Sequence, residues 1–218
     1  MKQKHFIDSH KAATGLAVLA LIGYYGRWDS TTAWVYLGLH GCYGLLWALK
    51  SQLFGDKAWE EPASPAMGVQ AYVFLSLYWV APWIITRQDV QAPAWLLGAA
   101  VFTFGVGVFL HFVADMQKWV ALQLRPGLIT TGVWARTRNP NYLGELLIYG
   151  SFAALSLHWA PWVILAFFFL TTWLPRMRKK DQSLSRYPEF AAYKAHSGLM
   201  LPALVQRRTE APPVTAGS

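Results

Sequence analysis

Cysteine is almost absent. Cys42 stands alone among 218 residues, so neither an intrachain disulfide framework nor a Cys-based zinc site can be built. Charge is scarce as well, at 14% of residues, roughly half of what a soluble domain carries. Acids are the scarcer sign, 11 against 19 basic residues. Strict alternation of apolar and polar positions is missing too, which excludes a transmembrane β-barrel. What remains is 55% apolar residues, 12 of them Trp, with a mean hydropathy of +0.26. That mixture suits a bilayer better than a water-soluble core.

A helix needs roughly 20 mostly apolar residues to cross the ~30 Å hydrocarbon core, and in lipid its backbone must satisfy its own hydrogen bonds. Six stretches qualify, at about 12–26, 33–50, 66–86, 93–113, 140–158 and 160–174. They predict an all-α, polytopic membrane bundle of six or seven transmembrane helices in one domain over 1–202. A disordered cytoplasmic tail is expected over 203–218, which ends APPVTAGS. Met1 to Lys11 followed by an apolar run has the outline of a signal peptide, but no small-residue cleavage site follows, so the segment is expected to stay as the first helix. Cys42 is expected as a small core residue.

The net charge of +8 would suggest nucleic acid in a soluble protein. Its placement says otherwise. With a cytoplasmic N-terminus, all but two of the 19 Lys and Arg fall on one side. The exceptions, Arg27 and Arg87, each stand beside an acid, Asp29 and Asp89. This bias predicts that both termini are cytoplasmic, at the inner membrane if the cell is bacterial, with membrane lipids rather than nucleic acid as partners.

Near the fifth stretch, Asn139 can cap a helix and Pro140 suits its first position. The helix start would leave backbone donors and a positive dipole end for an anion. Arg136 and Arg138 lie just upstream, and Arg176, Arg178, Lys179 and Lys180 follow the sixth stretch. Glu145 lies more than one turn inside an apolar helix, where an ionised carboxylate costs several kcal/mol unless compensated. Asn141, Glu145 and Tyr149 share one stripe. Either these groups face a cavity, or Glu145 sits in a helix-packing ion pair. His111, Asp115 and Lys118 form a second stripe, read as a ligand contact or an interfacial hydrogen-bond cluster. No second His or Cys makes a metal site of it. Tyr36, His40, Tyr43 and Trp47 form a third, in which His40 is a proton donor, a pocket residue or a packing histidine.

The run Ala114 to Glu145, ADMQKWVALQLRPGLITTGVWARTRNPNYLGE, resembles membrane steroid 5-alpha-reductases and sterol reductases, and the likeness extends through Tyr187-Pro188 and Pro202. It rests on an Asp ahead of a basic stretch, a Pro-Gly, and the signature Asn141-Tyr142-Leu143-Gly144-Glu145. The resemblance implies a helix bundle that takes NADPH from the cytoplasm and a steroid-like or isoprenoid lipid from the bilayer. It further implies Asp115, Asn141 and Glu145 as cofactor contacts, with His111 and Tyr149 beside them and Lys118, Arg125, Arg136, Arg138 and Arg176 toward the phosphates. The implied reaction is reduction of a C=C bond, with His40, Tyr43 and Glu145 as catalytic candidates and His40 or Tyr43 as the acid. An S-adenosylmethionine-dependent lipid or isoprenylcysteine methyltransferase is the alternative, because Arg138-Asn139-Pro140-Asn141-Tyr142-Leu143-Gly144 also fits the related Arg-x-Pro-x-Tyr-x-Gly motif. The Glu-Glu pair of those methyltransferases is replaced here by Lys179-Lys180-Asp181. The early His-Tyr-x-x-Arg of the 5-alpha-reductases is replaced by His40-Gly41-Cys42-Tyr43-Gly44.

Overall fold

Glycine and serine decide how the first helices meet. The computed structural model describes residues 1–56 and 59–203, so the tail expected beyond 203 lies outside the described residues. Helix α1 (Gln3–Tyr24) and helix α2 (Thr31–Phe54) form a hairpin, and the Ser30 side chain caps α2 by accepting from Ala33 N at 3.3 Å. A Cβ on Gly41 would lie 3.5 Å from Gly15 Cα, and one on Gly44 would collide with the Lys11 carbonyl. Backbone contact at Gly44 therefore sets the depth of Lys11.

Ser64 caps α3 (Pro65–Ser76), which passes through a tight turn at Leu77–Trp79 into α4 (Val80–Arg87). The long α5 (Ala94–Leu124) is followed by α6 (Pro140–Leu155), α7 (Trp159–Phe168), α8 (Leu174–Leu184) and the short α9 (Phe190–His196). Helices α5 and α6 touch backbone to backbone, since a Cβ on Gly144 would come within 2.5 Å of His111 N and 2.6 Å of Gly107 O. No strand occurs among the described residues.

The chain is thus a helical membrane bundle. Four rods, Gln3–Tyr24, Pro65–Arg87, Ala94–Leu124 and Trp159–Leu184, are long and apolar enough to cross a bilayer. The other two differ. Helix α6 has 16 residues, about 24 Å, and α2 turns Tyr36, His40, Tyr43, Trp47 and Lys50 inward.

The six apolar stretches coincide with the six rods, but the ends move. The first begins at Gln3 rather than near residue 12, because its polar side chains find partners: Lys4 with Glu60 at 2.5 Å, and Asp8 with Trp47 Nε1 at 3.0 Å and Ser51 Oγ at 2.6 Å. The fourth runs on to Leu124 rather than about 113, since Asp115 pairs with Lys50 and Lys118 with Asp56. The sixth continues through Pro175. A proline ring clashes with the carbonyl four residues back and offers no N–H. Widening of the helix to a π turn at Phe169–Trp173 absorbs both defects. Cys42, expected in the core, is exposed on the outer face.

At one end of the bundle Arg27 bonds Thr86 O at 2.8 Å and pairs with Asp89 at 3.3 Å, tying two loops together. At the other end Lys2 and Lys4 hold Glu60, and their hydrogen bonds pull its carboxyl down to about 2.

Candidate functional site

A cavity of about 530 Å³ opens at the Lys-rich end, between α1, α2, α3, α5, α6 and the π turn. Its inner wall is polar, with Lys11, Lys50, His111, Asp115, Asn141, Glu145 and Tyr149, while Ile7, Ala71, Phe74, Leu75 and Phe168 make an apolar wall. Trp59 and Arg176 stand among its lining residues, with the guanidinium 4.9 Å from the indole centroid.

The polar wall is built on one glycine contact. Because Gly144 lets α6 lie against α5, His111 Nδ1 sits 3.1 Å from the Asn141 carbonyl. That carbonyl only accepts, so Nδ1 carries the hydrogen and Nε2 of the neutral ring is an acceptor. Asp115 is ion-paired with Lys50, both side chains being buried, and its Oδ2 lies 3.8 Å from His111 Nε2. Three buried atoms are then left without a hydrogen-bond partner: His111 Nε2, Asp115 Oδ1 and Asn141 Oδ1. Buried polar atoms are rarely left so. All three belong to residues that line this cavity, and all three call for donors.

Beside them Lys11 donates to Tyr149 Oη at 2.8 Å and approaches Tyr43 Oη at 3.5 Å, with its ammonium 3.9 Å above the Trp47 ring. Tyr43 in turn reaches Glu145 Oε1 at 3.5 Å. Tyr43 is buried behind the cavity wall rather than lining it. His40 is further removed, bonded to Tyr36 at 2.9 Å and stacked on Phe152 at 4.2 Å.

Of the residues expected from the sequence, His111, Asp115, Asn141, Glu145, Tyr149 and Arg176 line the cavity. Lys118 stands one layer behind, paired at 2.9 Å with Asp56, which does line it. Arg125 and Arg136 are exposed outside the wall. Arg138 is spent inside the protein: its Nε lies 3.0 Å from both Asp181 oxygens and Nη1 bonds the Ser197 carbonyl. The Asn139 side chain, expected to cap α6, does not do so. It donates to Leu199 O at 2.8 Å and accepts from Lys180 at 3.0 Å, tying the C-terminal segment to the helix start, while Pro140 keeps the expected first position. Tyr193 completes this clasp on the Trp134 carbonyl at 2.6 Å, and burial pushes its phenol up to about 12.

Sequence reasoning missed Lys11 and Lys50. Lys11 stands just before the first apolar stretch and Lys50 at the end of the second, and a lysine within an apolar helix is the same anomaly as Glu145. Among the described residues no cluster of three His, Cys, Asp or Glu is arranged to hold a metal ion.

Residues 69–197 match the DUF1295 family, described as a protein of unknown function, and the chain belongs to that family. The family falls within the steroid 5-alpha-reductase-like superfamily. No curated protein and no solved structure matches the chain.

Proposed function

We propose that this protein is a membrane-embedded, NADPH-dependent reductase of a C=C bond conjugated to a carbonyl in a steroid-like or isoprenoid lipid. The observation that carries this reading is the trio His111 Nε2, Asp115 Oδ1 and Asn141 Oδ1, buried acceptors without donors on residues that line a cavity shared with apolar side chains. A nicotinamide carboxamide and ribose hydroxyls offer the missing hydrogens, and Arg176 is the lining guanidinium suited to a phosphate. When bound, the cofactor supplies a hydride. The protein supplies position and field, with His111, Asp115 and Asn141 orienting the polar ligand and the aromatic wall excluding water. The asymmetry of Lys and Arg supports placing the cavity at the cytoplasmic end, with both termini on that side. Superfamily membership and the Asn141 to Glu145 signature support the same class.

A methyltransferase would use S-adenosylmethionine, which carries no phosphate. Thermal melting of the detergent-purified protein with NADPH, NADH and S-adenosylmethionine in parallel separates the two. NADPH at about 100-fold over its Kd stabilises a folded state by about 2.7 kcal/mol, so a clear rise in Tm is expected with NADPH and none with S-adenosylmethionine. Stabilisation by S-adenosylmethionine alone would overturn the reductase.

A further inference from the structure

Lys11 is the buried charge that the cofactor-side reading leaves unused. It is 8% exposed and lines the cavity, and it enters no ion pair among the described residues. An ammonium withdrawn from water is costly unless something replaces its hydration. Here the replacement consists of one short hydrogen bond to Tyr149 Oη, a longer one to Tyr43 Oη, and the faces of Trp47 and Tyr43 at 3.9 and 4.6 Å. Phenols and ring faces compensate a cation only in part. Two carboxylates, Glu145 and Asp8, balance it without an ion pair, and Glu145 is linked to it through the Tyr43 hydroxyl.

We infer that Lys11 and Tyr149 form the site that receives the carbonyl oxygen of the lipid substrate. This rests on the reductase reading and names the part of the cavity that does the polarising. Lys11 donates to Tyr149, so the phenol keeps its own O–H to give, and the adjacent positive charge strengthens it as a donor. Both groups lie where the polar wall meets Tyr78 and Phe168, which stack at 4.5 Å, and Tyr78 stacks on Tyr149 at 4.1 Å. A flat, apolar ligand lying along those rings brings its polar end to Lys11. When hydride adds to the β-carbon, the C=C electron pair shifts toward the carbonyl carbon and the C=O pair moves to oxygen. Lys11 and Tyr149 hydrogen-bond the negative charge so formed, and a proton from water at the α-carbon completes the reduction.

Charge decides between a carbonyl and a carboxylate as the lipid's polar end. Lys50 is matched by Asp115, and Glu145 offsets Lys11 through one tyrosine. A ligand with a permanent negative charge would meet Glu145 unbalanced. An oxygen that is neutral on arrival and becomes negative only during reaction fits this field.

The test needs no turnover. Binding of a 3-oxo-4-ene steroid, of the same steroid lacking the oxygen, and of a steroid carboxylate is measured on the cofactor-free protein. Wild type is expected to prefer the ketone over the oxygen-free steroid by about tenfold, roughly 1.4 kcal/mol, and over the carboxylate as well. Lys11→Met and Tyr149→Phe should each erase that preference while the variant still melts in one cooperative transition. Tyr149→Phe loses one hydroxyl and keeps the ring, so it carries the test if Lys11→Met fails to fold. An undiminished preference in Tyr149→Phe, tighter binding of the carboxylate, or no steroid binding in a wild type that NADPH stabilises would overturn the Lys11 site and leave the reductase standing. A wild type that ignores NADPH yet loses its ketone preference in both variants would sink the reductase and keep the site.

Discussion

Two polar regions lie near the start of α6, and they are built on opposite terms. In the clasp, Arg138 is matched by Asp181 and Ser197, Lys180 by the Arg138 carbonyl and Asn139, Asn139 by Leu199, and Tyr193 by Trp134 and Thr137. In the cavity, His111, Asp115 and Asn141 each keep an open acceptor, and Lys11 is compensated by phenols and rings. Since buried polar groups are nearly always satisfied, saturation marks a structural region and deficit marks a place for a ligand. Both regions contribute to the same Arg138 to Glu145 stretch, so the chemical type of a residue does not say which region it serves.

The comparison predicts opposite phenotypes. The largest effect belongs to the clasp. Arg138→Ala removes one partner of an ion pair whose side chains are 7% and 13% exposed, and leaves the Asp181 carboxylate without its guanidinium. About 3 kcal/mol or more of stability should be lost, read as a large drop in Tm, with unchanged NADPH affinity in the fraction that remains folded. A stable variant with weakened, less salt-sensitive NADPH binding would return Arg138 to the phosphates. Gly144→Ala comes next. The added Cβ would press on His111 N and Gly107 O, backbone atoms that cannot turn aside, so α5 and α6 must part at about 1–3 kcal/mol. Because that contact also sets His111 against Asn141, Tm and NADPH affinity should fall together. Lowered Tm with full affinity would show that the cavity tolerates separation of the helices.

The bundle was legible because hydrophobic length and backbone satisfaction in lipid leave few alternatives. The ends of the rods were not. Apolar runs locate where a helix is buried in lipid, whereas Asp8 and Asp115 extend α1 and α5 only because Trp47, Ser51 and Lys50 wait on another helix. The stripe Asn141, Glu145 and Tyr149 could be read from spacing alone, since helix geometry carries that information. Lys11 could not be joined to it, because it is 138 positions from Tyr149 in sequence. The basic residues before α6 form one group in the sequence for the same reason: nothing local distinguishes Arg136, exposed, from Arg138, buried on Asp181.

Glu145 gives the smallest and sharpest test of the division. It lines the cavity, accepts from Tyr43 at 3.5 Å, and enters no ion pair among the described residues. Glu145→Gln keeps the shape and an oxygen for Tyr43 but removes the charge. A structural ion pair would lose stability first, since its partner would be left buried and alone. A cavity carboxylate should behave otherwise: the cofactor-free Tm stays near wild type, while NADPH affinity or turnover falls by about tenfold, near 1.4 kcal/mol. Removing this charge also removes its repulsion of an anionic ligand, so the variant should bind a steroid carboxylate better than wild type does. Melting and both affinities, measured on one preparation, decide the matter. An unstable protein whose folded fraction binds NADPH normally would move Glu145 from the cavity's chemistry to the bundle's packing.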